Sequence, residues 1–254
     1  MRWIIFANKP MNFSLIDTKL RELAAGNDEY AAFNRRIVNT QQQVYGVRVP
    51  DLRKLAKQLT KRGISPESEP MSAGEVRTYL QSFDQNTLVF EQVLLGGLLI
   101  NCLKTDDETR AELTEIYLPL VDSWAQVDCF ADRNPAYRND FWWRFATEKL
   151  ADEREFFVRY GVIMLMCNFL TPEKLAAVFA ELRQISRDGY YVKMAMAWLY
   201  AEAALVDFAA TMRELQTAPI DPWIKKKALQ KCRESRRFSA KEQAIIAQER
   251  LNHC

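Results

Sequence analysis

The chain has 254 residues, 48% of them hydrophobic, and a formal net charge of +2. That is enough apolar material for a sizeable buried core, which excludes wholesale disorder. The near-neutral balance means that any nucleic-acid affinity must come from local clustering of charge. Only 8 Gly and 9 Pro punctuate the sequence, too few for a many-turned β architecture.

From the N-terminus, the Trp3–Ala7 apolar run is too short for a signal peptide, and residues 1–11 are expected to be disordered or loosely packed. Helical periodicity then predicts helices near 13–25 and 28–37. The next, Pro50–Arg62, is the clearest. Pro50 suits a first helical turn and Asp51 favours its positive end. Leu52, Leu55, Ala56 and Leu59 share one face, and Arg53, Lys54, Lys57 and Lys61 the other, before Gly63 stops the helix. Further helices are predicted near 73–83, 87–103, 107–121, 138–150, 154–169, 172–185, 189–203, 205–216, 221–235 and 239–251. Thr171-Pro-Glu-Lys and Ser239-Ala-Lys-Glu read as capped starts. The apolar stretches Leu88–Ile100 and Phe156–Leu170 are interrupted by Glu91 and Arg159, and fit buried helices better than membrane spans. Asp132–Arg138 is the one longer polar break and reads as a wide turn, not a domain boundary.

Helix pairs recur at roughly 35–45 residues, as degenerate HEAT-like units would. The expected fold is all-α: residues 1–254 as one curved α-α superhelix, a HEAT-like or ARM-like solenoid of antiparallel helix pairs, binding on its concave face. Such a solenoid buries its own core, so a monomer is expected.

Several chemistries lack their residues. His253 is the only histidine, which disfavours histidine triads, metal sites and acid–base work. The five cysteines, Cys102, Cys129, Cys167, Cys232 and Cys254, form no C-x-x-C pair and read as reduced thiols of a cytoplasmic protein. Neither a Walker loop nor G-x-G-x-x-G offers a nucleotide cradle. No metal or cofactor is expected, which leaves carboxylates, aromatics and cations.

Four constellations remain. Trp124 and Asp128 are one helical turn apart, setting a carboxylate beside an indole, or else a core tryptophan beside a capping aspartate. Arg159 sits on an otherwise apolar helix and needs an anion, either an internal carboxylate or a phosphate. The Tyr190–Trp198 stretch carries Lys193 and Trp198, with Ala195 and Ala197 permitting close packing; core tryptophan is the plain alternative for Trp198. Last, Lys225, Lys226, Arg233, Arg236 and Arg237 fall within one face if their helix runs through them. With the basic face of the Pro50 helix they make two cationic stripes able to follow two phosphate strands, or else solvated helix surface.

Together these features resemble the AlkD-like DNA alkylation repair glycosylases, a family of HEAT-like solenoids. The resemblance runs from Tyr45-Gly46-Val-Arg48-Val-Pro50-Asp-Leu-Arg53, similar to the family's G-(I/V)-x-x-P-x-x-R opening, through Trp124-x-x-x-Asp128 and Arg159 to Trp198 and the Lys225–Arg237 block. It covers roughly residues 13–240. The chain departs from the pattern just after Trp198, where Tyr200, Ala201 and Glu202 stand in place of an expected basic residue.

The resemblance implies metal-free hydrolysis of the N-glycosidic bond of cationic alkylpurines such as 7-methylguanine and 3-methyladenine in duplex DNA. It implies Asp128, Trp124 and Trp198 as catalytic residues, with the two tryptophans flanking the lesion nucleotide. Arg159, Arg48, Arg53, Lys54, Lys57, Lys193, Lys225, Lys226, Arg233, Arg236 and Arg237 are implied DNA contacts. A cytoplasmic, nucleoid-associated location of bacterial type is the matching expectation. Two rivals stand beside it: a catalytically inactive relative that recognises distorted duplex, and a HEAT-like protein-interaction scaffold.

Overall fold

The computed structural model describes residues 13–65 and 68–252, with side chains to 249. The segment 1–11, His253 and Cys254 lie outside the described residues. The described chain is all-α and contains no strand; a single isolated bridge pairs Gln43 with Val89. It divides into two compact units, 1–130 and 131–254, with the division just before the Asp132–Arg138 break.

The first unit comprises α1 (Phe13–Ala24), α2 (Asp28–Val38), α3 (Val49–Arg62), α4 (Ala73–Gln81), α5 (Phe90–Cys102), α6 (Asp107–Tyr117) and α7 (Trp124–Phe130). Helix α5 is apolar on all sides, so it can only sit at the centre. Helices α1, α3, α4, α6 and α7 pack around it. Helix α3 forms as its pattern predicts: Leu52, Leu55, Ala56 and Leu59 are buried, and Gly63 ends it at φ +74°. The start of α4 carries a capping box that helical periodicity alone does not reveal, with Ser72 and Glu75 bonded to each other's backbone N–H. Helix α6 stops four residues short of the expected 121: Pro119 lies in a tight 3-10 turn over Leu118–Leu120.

One buried carboxylate fixes the approach to α3. Glu91 on α5 is fully buried, and Oε1 accepts from the Gly46 N–H at 2.7 Å and the Val47 N–H at 3.2 Å, while Oε2 accepts from the Tyr45 N–H at 2.9 Å. Burial pushes its pKa up, against the three backbone N–H groups that pull it down. Gly46 adopts φ +98°, and a Cβ there would lie 2.9 Å from Ala31 Cβ, so only glycine lets the chain reach this carboxylate.

The second unit comprises α8 (Asp140–Leu150), α9 (Glu155–Asn168), α10 (Leu175–Leu182), α11 (Tyr190–Val206), α12 (Phe208–Thr217), α13 (Pro222–Glu234) and α14 (Ala240–Asn252). Its helices pack in succession, α8 on α9, α9 on α11, α11 on α13 and α13 on α14. The continuous burial from Phe157 to Met166 accounts for the all-round hydrophobicity of α9. Ala195 and Ala197 are fully buried on α11, as close packing requires. Ser239 and Glu242 form the expected capping box on α14. The Thr171 hydroxyl accepts from the Lys174 N–H at 3.4 Å and its carbonyl from the Lys174 and Leu175 N–H groups, capping a turn that leads into α10 at Leu175. Pro172 stands directly after Thr171, where its missing N–H costs no bond.

Replacing Glu91 with Ala strands three backbone donors in the core. Urea unfolding is expected to show a loss of about 3 kcal/mol. A loss below about 0.5 kcal/mol, the range of an ordinary surface substitution, would show that these bonds do not organise the α3 entry.

Candidate catalytic residues and nucleic-acid interface

Helix α7 carries Trp124 and Asp128. At 7 residues it is too short to persist on its own hydrogen bonds. Polar side chains tie it to the linker after α2. The Asp122 carboxylate accepts from Thr40 Oγ1 at 2.5 Å and the Gln41 N–H at 2.8 Å. Ser123 Oγ donates to the Val38 carbonyl at 2.7 Å. Gln126 Nε2 donates to Gln42 Oε1 at 2.7 Å, and Gln126 Oε1 accepts from the Asp122 N–H at 3.1 Å. Gln42 in turn donates to the Leu120 carbonyl at 2.8 Å. Ser123, Gln126 and Gln42 are buried, so water does not compete for these bonds.

This network sets Trp124 at the start of α7 and Asp128 one turn later, both half-buried. The Trp124 indole N–H donates to the Ile37 carbonyl at 3.3 Å. Phe33 and Ile37, one turn apart on α2, leave about half their surface exposed (50% and 49%), giving an apolar face next to the residue that holds the indole. Arg53 reaches from α3 to the Cys129 carbonyl, at 3.3 Å, beside Asp128 in sequence. The first unit therefore brings Trp124, Asp128 and Arg53 together around one short helix.

In the second unit Arg159 is 5% exposed, and its Nη1 donates to the Tyr191 carbonyl at 2.7 Å, in the first turn of α11. Trp198 is half-buried on α11, and its indole N–H donates to Glu202 Oε1 at 3.3 Å. Glu202 also receives both terminal nitrogens of Arg237, at 2.5 and 2.9 Å. Arg237 beside it holds the Glu202 carboxyl below the usual glutamate range. The stability this pair gives is thus present above the ordinary value of 4.5, and is lost only as pH falls through the depressed one.

The expected cations divide into two groups. Lys193 is ion-paired with Asp188 and Asp221, and the Asp188 contact raises its pKa, so it serves to tie the entry of α11 to the start of α13. Lys54 pairs with Asp51, and Arg48 lies 4.3 Å over the Tyr30 ring. Lys57, Lys226, Arg233 and Arg236 are exposed, Lys225 is half-exposed, and none of the five has an ion-pair partner among the described residues. Helix α13 ends at Glu234 because Ser235 turns to an extended conformation, so Arg236 and Arg237 leave the helical face on which periodicity places them. Arg237 is held instead by Ser235 Oγ and Glu202. At the C-terminal end of α3, Lys54, Lys57, Lys61 and Arg62 line an open groove of about 640 Å³.

Residues 16–232 match the family model described as DNA alkylation repair enzyme. The chain belongs to that family. No curated protein and no solved structure matches it. The match contains Trp124, Asp128, Arg159 and Trp198, while Arg233, Arg236 and Arg237 lie just past it. As a DNA alkylation repair family member the protein has a DNA repair role, with DNA as the implied substrate. No helix among the described residues is long and apolar enough to cross a membrane.

Sequence reasoning missed Gln42 and Gln126, the buried amides behind α7, and Glu202, the carboxylate behind Trp198. The signal for Glu202 was its place one turn after a tryptophan on an apolar helix. Gln126→Leu removes both the donor to Gln42 and the acceptor for Asp122. It is expected to cost about 2 kcal/mol and to speed amide exchange in residues 124–130 more than in α5. Unchanged exchange in α7 would show that the amide pair does not hold it.

Proposed function

We propose that this family member binds duplex DNA and hydrolyses the N-glycosidic bond of positively charged alkylpurines, 7-methylguanine and 3-methyladenine among them. The supporting observation is a carboxylate and an indole carried one turn apart on a helix whose orientation is imposed by buried hydrogen bonds, in a chain of the DNA alkylation repair enzyme family.

A cationic purine is already a good leaving group, so the reaction needs no general acid. As the bond breaks, positive charge develops on the deoxyribose. Asp128 stabilises that charge and orients the attacking water. Trp124, beside Asp128, presents its π face to the cationic lesion nucleotide, a contact worth about 0.5–2 kcal/mol, and Trp198 offers an indole face to bound DNA. Arg159 adds positive potential toward a backbone phosphate from its nearly buried position. Lys57, Lys225, Lys226, Arg233 and Arg236 grip phosphates without reading sequence. The reaction uses no metal or cofactor, and the protein acts as a monomer in the bacterial-type cytoplasm, at the nucleoid.

Asp128→Asn keeps the shape and removes the charge. Single-turnover excision of 7-methylguanine is expected to fall by about 10²–10³-fold with duplex affinity little changed; an equal rate would remove Asp128 from the chemistry. A Lys226→Ala, Arg233→Ala, Arg236→Ala variant is expected to flatten the dependence of log affinity on log salt by about 0.9 for each phosphate that is no longer neutralised. An unchanged slope would take these residues out of the interface.

A further inference from the structure

We propose that Glu202 is a positioning residue, whose carboxylate sets the plane of the Trp198 indole and fixes Arg237 beside it, so that an aromatic face and a guanidinium meet DNA as one rigid pair. This rests on the glycosylase reading for its catalytic consequence, but not for its geometry.

Glu202 lies one turn after Trp198 on α11. Oε1 accepts from the indole N–H at 3.3 Å and from Arg237 Nη2 at 2.5 Å, and Oε2 accepts from Arg237 Nη1 at 2.9 Å. Arg237 Nε donates to Ser235 Oγ at 3.3 Å, so the guanidinium is held on two sides. The Glu202 side chain is 22% exposed, whereas that of Arg237 is 58% exposed. The carboxylate is thus the inner, anchored partner, and the Arg237 side chain the more exposed one.

An exposed ion pair on its own fixes little. Here the shared oxygen does more. An indole has two side-chain torsions, and anchoring its only polar atom to a residue of its own helix removes the freedom of the ring to swing. The bidentate Arg237 contact keeps the carboxylate from rotating away, and it carries a cation across from the turn after α13. A guanidinium from 35 residues further on is thereby held at Glu202, one turn after Trp198. Glu202 stays ionised through neutral pH because Arg237 depresses its pKa.

The test uses the full chain with nitrogen-15 tryptophan, the Trp198 indole N–H resonance being assigned with Trp198→Phe. Glu202→Met keeps the length and removes the acceptor, Glu202→Gln keeps an acceptor oxygen, and Arg237→Met removes the guanidinium alone. Melting curves establish which variants fold; if Glu202→Met does not, Glu202→Ala carries the same comparison. Glu202→Met is expected to move the Trp198 resonance and to slow single-turnover release of 7-methylguanine by about 10–100-fold, as a misplaced contact group does. Glu202→Gln is expected to restore the resonance and most of the rate, a rescue that a merely structural role would not give. Arg237→Met is expected to move the resonance part of the way and to weaken duplex binding.

An unmoved Trp198 resonance in Glu202→Met would overturn the proposal, as would a moved resonance with an unchanged rate. If the wild-type protein releases no base, the glycosylase reading falls by itself. Glu202 is then judged on the shift of the Trp198 resonance when undamaged duplex is added. A shift in wild type and none in Glu202→Met upholds the positioning role, and equal shifts overturn it.

Discussion

The buried amide pair of Gln42 and Gln126, flanked by Asp122 and Ser123, is the interaction on which the placement of Trp124 and Asp128 depends. A helix of 7 residues has too few internal hydrogen bonds to hold itself. Its direction is set from outside, by a linker whose own course is fixed by Glu91 at Tyr45, Gly46 and Val47. Apart from the half-buried Asp122, each tie is a polar side chain buried with its partners satisfied, the condition under which polar burial specifies one arrangement instead of destabilising it. Trp124 and Asp128 inherit their placement from that chain of bonds.

The second unit uses the same device with charge added. Glu155, at the start of α9, accepts from the Tyr191 N–H at 2.6 Å, and Arg159 one turn later donates to the carbonyl of the same residue. The first turn of α11 is thereby gripped on both backbone groups of Tyr191. Lys193, two residues on, bridges Asp188 and Asp221. Both cations are engaged within the fold. Lys57 on α3 and Lys225, Lys226, Arg233 and Arg236 on and after α13 have no ion-pair partner among the described residues. The division among the cations follows from which carboxylates the fold delivers to each.

Helix α3 was legible in the sequence because everything that makes it is local: Pro50, Asp51, four apolar residues at helical spacing, and Gly63. The apolar character of α5, α9 and α11 was legible for the same reason. Helix α7 was read only as a turn linking Trp124 to Asp128, since its support comes from residues more than 80 positions away. The partners of Arg159 and Arg237 were hidden likewise: a backbone carbonyl 32 residues on, and a carboxylate 35 residues back. The basic face of α13 was overextended because Ser235 leaves the helix, a choice that no periodicity in the Lys225–Arg237 run reveals.

The most direct measurement is to incubate the wild-type protein with duplex DNA carrying 7-methylguanine and to weigh the released small molecules by mass spectrometry. The account predicts free, intact 7-methylguanine and an abasic site left in an unbroken strand. Duplex binding that weakens with salt but releases no base would contradict it, leaving a protein that holds DNA without cutting the glycosidic bond.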